Sequence, residues 1–404
     1  MRTDDMTTDK HNKRPNVPPL RFPEFTDEWE QHMTTDFFEF KNGLNPDVKR
    51  FGTGIKFISV MDILNNRYIT YDKIISAVEA KDDDLRDFGV NYGDILFQRS
   101  SETLEDVGRA NVYLDEKPAL FGGFVIRGKR IGDYNPLFFR YLLSSPSVRK
   151  RIIVKGAGAQ HFNIGQDGLS KVSLFVPSAK EQDRIAQLLN AIDKRIEVQS
   201  GLIEDLQKLK AAIIERLYSQ QNANNKIGEM VTQVSTRNRG YNDYSVLSVN
   251  NRLGFIEQSE QFEDRMVASE DTSNYKVVSR DDFAYNPARI NVGSIARLTS
   301  FEKGIVSPMY ICFNTKAQLL PQYLEHFFAT RYFDCEMQKR LEGSVRLCLS
   351  WEGLCNIPIS VPSIEQQEYI ANRITRFADK ISLEERYLDI LKIQKQHLLQ
   401  AMFI

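Results

Sequence analysis

The stretch Val176-Pro177-Ser178, followed by Gln182, Ile185 and Ala186, returns as Val361-Pro362-Ser363, Gln367, Ile370 and Ala371, every pair at one offset (361 − 176 = 185). The same offset joins Val107-Gly108 to Val292-Gly293, Ile126 to Ile311, Pro136 to Pro321, Gly158 to Gly343 and Gly168-Leu169 to Gly353-Leu354. A period this long, occurring twice, marks a tandem duplication with pseudo-two-fold symmetry rather than a solenoid. Each copy reads as a mixed unit of about 150 residues, the size of one domain, followed by a long helical pattern.

In the first helical pattern, Glu181 to Tyr218, apolar residues recur at Ile185, Leu189, Ile192, Ile196, Leu202, Leu206, Leu209, Ile213 and Leu217. This three-four spacing predicts an amphipathic helix. The second copy repeats it at Ile370, Ile374, Phe377, Ile381, Leu388, Leu391, Leu398 and Met402. Ser178 and Ser363, each after a proline, are candidate N-caps. A helix of about 38 residues makes a rod of roughly 57 Å, too long to bury its stripe within itself. The two rods are therefore expected to pair antiparallel as a coiled coil and to act as a ruler between the globular units. Docking of each helix on its own domain is the alternative.

Within each unit, short strands precede a helix, which predicts an α+β fold. Strands are expected at Ile55–Val60, Asp94–Phe97, Val107–Leu114 and Ala119–Arg127, with a helix at Pro136–Ile153. The second unit matches with strands at Tyr244–Val249, Asp282–Tyr285, Val292–Leu298 and Ile305–Phe313, and a helix from Pro321 to about Leu341. The expected organisation is a disordered tail over 1–17, a globular domain over 18–177, a helical region over 178–220, a second domain over 221–362 and a second helical region over 363–404.

With 42% hydrophobic residues the chain can bury ordinary cores. Its apolar runs fall far short of the roughly 18 residues that span a bilayer, and residues 1–16 carry no apolar signal segment. A cytoplasmic protein without membrane attachment is expected. The four cysteines, Cys312, Cys335, Cys348 and Cys355, lack the close pairing of zinc sites, so reduced thiols and no metal are expected.

A net charge of −1 requires any nucleic-acid surface to be local. Between Asp133 and Asp167 no acid occurs, while Arg140, Arg149, Lys150, Arg151 and Lys155 do. Phe283 to Phe301 is likewise acid-free and carries Arg289 and Arg297. Matching loops differ in their polar residues. Copy one has Gln98-Arg99-Ser100-Ser101 and Arg109; copy two has Asn286, Arg289, Asn291 and Ser294. Arginine pairs with guanine, and asparagine or glutamine with adenine, through two hydrogen bonds. A second loop set adds Lys155, Gln160, His161 and Asn163 in one copy and Ser344 and Arg346 in the other. Its glycines would let backbone approach a phosphate. Any one of these residues is equally a solvated loop residue; the grouping carries the reading. With Lys150 and Arg297 they form the candidate DNA-binding set.

Neither glycine loop is a Walker motif. Asn286-Pro287-Ala288-Arg289 departs at its third and fourth positions from the Asn-Pro-Pro-aromatic motif that holds a flipped adenine. No nucleophile-base pair or carboxylate set stands out, so no catalytic residue is assigned.

The opening Val17-Pro18-Pro19-Leu20-Arg21-Phe22-Pro23-Glu24-Phe25, the paired Val-Pro-Ser segments and the ending Leu398-Leu399-Gln400-Ala401-Met402-Phe403 resemble the specificity subunit of Type I restriction-modification systems. Departures are Gln366 in place of Glu181, and one residue gained before Asp379, the expected counterpart of Asp193. The resemblance implies two target-recognition domains, each reading half of a bipartite, asymmetric double-stranded DNA site, with the helices fixing the spacer. It also implies docking of two methyltransferase subunits, for which the helix residues Ile185, Leu189, Ile192, Leu206, Ile370, Ile374, Phe377, Leu391 and Leu398 are candidates. Motor-nuclease subunits would join them. This chain would hold no cofactor; S-adenosylmethionine, ATP and Mg would belong to the partners. A protein-binding scaffold without DNA readout, or a self-contained methyltransferase, are the alternatives.

Overall fold

The computed structural model describes residues 16–219, 222–239, 244–251, 253–261, 271–343 and 346–404. The expected tail over 1–17 lies almost wholly outside them. Two units emerge: one made of the residues up to Ser200 together with Tyr387–Ile404, the other of Gly201–Arg386. Each is α+β.

In the first unit the chain runs β1 (Glu30–Met33), β2 (Phe38–Asn42), β3 (Phe51–Ile58), β4 (Ala77–Val78), β5 (Ile95–Gln98), β6 (Ser100–Ser101), β7 (Ala110–Val112), β8 (Leu120–Phe121) and β9 (Val125–Arg130). Helices α1 (Pro136–Ser144) and α2 (Pro146–Ile153), strands β10 (Phe162–Asn163) and β11 (Ser173–Val176), and the start of helix α3 (Ala179–Ser219) follow. The main sheet is antiparallel in the order β2-β9-β5-β7. All of β5 is buried because both its faces are covered: Ile95 and Phe97 join one core, Leu96 the other. Beside it, β3 pairs in parallel with β8 through Phe57↔Leu120 and Ile58↔Phe121.

The second unit holds β12 (Asn225–Lys226), β13 (Val231–Val234), β14 (Val246–Asn250), β15 (Gly254–Glu257), β16 (Lys276–Ser279), β17 (Phe283–Tyr285), β18 (Ile295–Arg297), β19 (Lys303–Val306) and β20 (Ile311–Thr315). Helices α4 (Pro321–Phe327) and α5 (Arg331–Gln338), strand β21 (Pro358–Ile359) and helix α6 (Ile364–Ala401) complete it, the last turns of α6 belonging to the first unit. Its antiparallel sheet β13-β20-β17-β18 is again sandwiched, with Phe283 and Tyr285 in one core and Ala284 in another. Here β14 pairs in parallel with β19 through Val246↔Ile305.

Several expected elements are interrupted. The helix expected over Pro136–Ile153 is two helices, because Pro146 cannot continue α1 and Ser145 caps α2, accepting from the Val148 amide at 3.4 Å. Thr330 makes the same break before α5, its Oγ1 accepting from Phe333 at 3.1 Å. The strand expected over Val107–Leu114 forms only at Ala110–Val112, since Val107-Gly108-Arg109 is a turn with Gly108 at φ +69°. Turns at Gly122–Val125 and Ser307–Tyr310 split the strands expected over Ala119–Arg127 and Ile305–Phe313. Only the end of Val292–Leu298 is strand, and Val60 begins a short helix.

The repeated glutamine has a structural duty. Gln182 Oε1 accepts from the Asn135 amide at 3.0 Å while Nε2 donates to Pro177 O at 3.0 Å. In the second unit Gln367 Oε1 accepts from Leu320 at 2.8 Å and Nε2 donates to Pro362 O at 2.9 Å. Both glutamines are buried, and each bolts the start of a long helix to the segment before α1 or α4.

Helix pairing differs between the units. In the first, Asp193 is 6% exposed and receives Tyr141 Oη at 2.8 Å, Arg140 Nη1 at 3.2 Å and, from the last turns of α6, Lys395 Nζ at 2.6 Å. Burial raises the Asp193 pKa, but Lys395, Arg140 and Tyr141 outweigh it and hold the carboxyl below its ordinary range. Asp379, the expected counterpart, is exposed. The opening motif also acts here: Arg21 grips buried Glu181 through two 2.7 Å bonds, and Leu20 N donates to Ala401 O at 2.9 Å. Gln366, at the place of Glu181, is exposed.

Candidate nucleic-acid interface

Backbone hydrogen bonds bring together loops that are distant in sequence, and they do so at matching places in both units. In the first, β6 pairs with β10 (Ser100↔Asn163, Ser101↔Phe162), and Ile164 N donates to Arg99 O at 2.9 Å. A third loop joins them, Arg99 N donating to Phe124 O at 2.9 Å. In the second, Leu349 N donates to Pro287 O at 3.0 Å. The glycine-bearing loops are hairpins, closed by the bridges Ala157↔Asn163 and Glu342↔Cys348. Gly158 and Gly343 have φ of +147° and +116°, and a Cβ there would lie 1.9 and 2.3 Å from the carbonyl oxygens of His161 and Arg346. These two glycines are thus required by the hairpin itself.

Sequence-assigned residues divide by accessibility. Gln160, His161, Asn163, Lys150 and Lys155 are exposed; Arg99, Ser100 and Ser101 are half-buried beside them, and Ser100 hydrogen-bonds Asn163. Arg109 is paired with Asp106 at 2.5 Å. Gln98 is a correction: it is buried, donating to Ser100 O at 2.9 Å, and shapes the loop rather than projecting from it. The basic window is largely internal as well. Arg140 is held by Asp193, Arg151 donates to Ser173 O at 3.1 Å, and Arg149 donates to Glu105 O and Val107 O at 2.8 and 2.7 Å. Burial, with a lesser contribution from Arg109, pushes the Arg149 pKa down to about 10. Of that window only Lys150 and Lys155 stay exposed.

In the second unit Arg289, Asn291 and Arg346 are exposed and Asn286 is half-buried. Ser344 lies outside the described residues. Ser294 is a correction, being buried with Oγ donating to Val249 O at 3.3 Å. So is Arg297, neutralised by Asp281 at 2.6 Å and Glu325 at 2.8 Å.

Each unit also carries a cleft, of which the sequence reading assigned only Asn286, Arg289 and Ser294, all in the second unit. Its walls are the parallel strand and the turn that follows that strand's partner. In the first unit it measures about 390 Å³ and is lined by Phe51, Phe57, Met61 and Phe124. In the second it measures about 430 Å³ and is lined by Asn250, Asn251, Gln258, Asn286 and Arg289. Phe124 and Met309 are 69% and 62% exposed. They are related by the repeat offset, which alone would have paired them.

The helix residues assigned to partners are mostly used within the chain. Ile185 and Leu189 lie in the first core, against which Leu398 packs, and Ile370 and Ile374 lie in the second. Ile192 and Leu391 are buried, and Leu206 and Phe377 half-buried. What the helices leave exposed is a different set: Val198, Leu202 and Leu209 on α3, and Leu383, Ile390 and Ile393 on α6.

Among the described residues no group of three or more histidines, cysteines or acids could hold a metal, and no helix is long and apolar enough to cross a membrane. Residues 26–208 match the family model of the Type I restriction modification DNA specificity domain, and that stretch belongs to this family, as the sequence resemblance implied. The chain is 22% identical to the provisionally named MjaX type I restriction enzyme specificity subunit of Methanocaldococcus jannaschii, covering 96% of each. It is 28% identical over 153 residues to the EcoKI specificity subunit of Escherichia coli, covering 37% of this chain and 32% of that relative. In fold it is similar to the type I system S subunit of M. genitalium, with a TM-score of 0.55, 16% identity and coverage of 96% and 99%. A chain from work on complex assembly and conformational transition of the type I R-M system gives a TM-score of 0.58, 12% identity and coverage of 92% and 96%.

Proposed function

We propose that this chain is the non-catalytic DNA-reading subunit of a type I complex and that its two units read the two halves of a bipartite, asymmetric site. The observation that carries this is the matching of the loop junctions, Ile164 to Arg99 and Leu349 to Pro287, around unlike side chains. One scaffold used twice with different fingertips is what two unlike half-sites require. The repeated glutamine bolts support a pseudo-two-fold repeat; in this reading the long helices would pair as a coiled coil and set the unread spacer.

Phosphate contacts would come from Lys150 and Lys155 in the first unit and from Arg346 in the second; these position without specifying. The exposed Val198, Leu202, Leu209, Leu383, Ile390 and Ile393 are the better candidates for docking methyltransferase subunits, since apolar side chains left in water favour a partner. Those subunits would supply S-adenosylmethionine-dependent methylation of a flipped adenine, and motor-nuclease subunits ATP- and Mg-dependent translocation and cleavage.

Expression of the chain with its neighbouring methyltransferase, followed by single-base mapping of methylated adenines, tests the proposal. A two-part motif with a fixed gap, lost when this chain is omitted, is expected. A stable, active complex that methylates without any such motif would make the chain a scaffold instead.

A further inference from the structure

The two clefts occupy matching places. The turn Gly122–Val125 is closed by Val125 N to Gly122 O at 2.9 Å, and its counterpart at the repeat offset, Ser307–Tyr310, by Tyr310 N to Ser307 O at 3.1 Å. Across from them stand β3 and β14, each the parallel partner of the strand before the turn. Yet the first cleft is mostly apolar, with only Asn45 and Ser59 as polar side chains among its described lining, and the second is lined by several amides and a guanidinium. The fold therefore does not need so many polar groups at this place.

Polar groups taken out of water without a partner cost stability, and among the described residues the second cleft keeps one such atom. Gln258 Oε1 is out of reach of solvent and has no hydrogen-bond partner among the described residues. Asn286 Nδ2 reaches only the Met309 sulfur, at 3.6 Å, although its Oδ1 accepts from Ala288 N at 3.1 Å. Arg289 is exposed and makes no ion pair with a described residue, whereas its neighbours Arg280 and Arg297 are both neutralised by acids. The orphaned Gln258 acceptor, the weakly engaged Asn286 donor and the exposed Arg289, unpaired among the described residues, match a ligand that carries both donors and acceptors and is polarised toward negative.

We infer that this cleft determines the specificity of the second unit by taking the major-groove edge of a purine. Arg289 supplies two parallel donors to N7 and O6 of guanine, or the Asn286 and Asn251 amides pair with N7 and N6 of adenine. In either case N7 is the shared acceptor. The corresponding cleft of the first unit is mostly apolar, with Asn45 and Ser59 as its polar side chains and no guanidinium. This rests on the DNA-reading proposal.

The test uses the whole complex on duplexes carrying the mapped motif, with 7-deazaguanine or 7-deazaadenine placed singly at each purine of the second half. One position is expected to lose about 2- to 150-fold in binding, the range for losing the single N7 bond from a neutral amide up to a charged guanidinium, and the modified base that does so tells guanine from adenine. Arg289→Ala and Asn286→Ala, scored with Arg289→Lys to keep the charge, are expected to lose that sensitivity and relax the base preference there, leaving the first half unchanged. Urea unfolding of each variant chain in a Trp29→Phe background, followed by Trp351 fluorescence, checks that the second unit is folded. If the wild-type motif stands but no 7-deaza position matters, or all variants retain full fidelity, the cleft assignment is wrong while the reader proposal survives. Loss of the motif requirement in the wild-type complex would remove the reader proposal itself. Competition by a free mononucleotide would place an unpaired base in the cleft and overturn the groove-edge inference.

Discussion

Asp193→Ala is the sharpest probe of how the long helices are locked to the first unit. The substitution strips the counter-charge from Arg140 and Lys395 and the acceptor from Tyr141, all within 3.2 Å of one carboxylate. Removing one partner of a buried pair costs about 3–5 kcal/mol. Arg140 and Lys395 are 14% and 24% exposed, so partial rehydration recovers some of this; about 2–4 kcal/mol is expected. The chain has two tryptophans, Trp29 in the first unit and Trp351 in the second, so in a Trp351→Phe background Trp29 reports the first unit alone. With a urea m-value of about 2–3 kcal/mol/M, the Trp29 midpoint should fall by about 1 M. Adding Lys395→Met should recover part of the loss, because the two changes share one interaction. The sign with pH is determined: a carboxyl held below its ordinary value contributes stability above about pH 4 and loses it as pH falls through the folded pKa. An unchanged midpoint, or a double variant whose loss is the sum of the singles, would refute the lock.

Arg99→Ala should relax the base preference in the first half-site only, while Lys155→Ala should weaken binding to every sequence and flatten the log-log salt slope by about one. Equal changes in both half-sites with Arg99→Ala would sink the two-reader proposal. Shortening α3 by a heptad between Leu202 and Leu209 should change the spacer or abolish assembly without changing the bases read; the original gap in a normal complex would end the ruler idea. His326 gives the second unit a pH dependence. Burial, then Lys210 and Arg297, push its pKa down to about 4, so it folds neutral. The unfolded chain takes up the proton near pH 6.5, so stability should decline as pH falls from about 6.5 toward 4, by at most about 3 kcal/mol at about 1.4 kcal/mol per pH unit. In a Trp29→Phe background, Trp351 midpoints should show this decline, and His326→Gln should flatten it.

The duplication was legible residue by residue, because a constant offset is a property of the order of residues alone. So was the helix expected over Glu181 to Tyr218, which runs Ala179–Ser219, since a periodic stripe sustained over so many turns outweighs local exceptions. The Val-Pro-Ser and glutamine motif was visible too, but its duty was not: Gln182 and Gln367 act on backbone 47 residues upstream, a distance that sequence does not measure. Charge was the least legible. Lys155 and Arg149 sit in one acid-free window, yet one is exposed and the other is sealed against Glu105 and Val107. Arg289 and Arg297 likewise share a window, and only the fold sends Arg297 to Asp281 and Glu325. Periodicity is written locally, whereas desolvation and pairing depend on which distant segments arrive beside a side chain, and so the chain order determined the architecture while the tertiary structure decided which polar groups are left to meet a ligand.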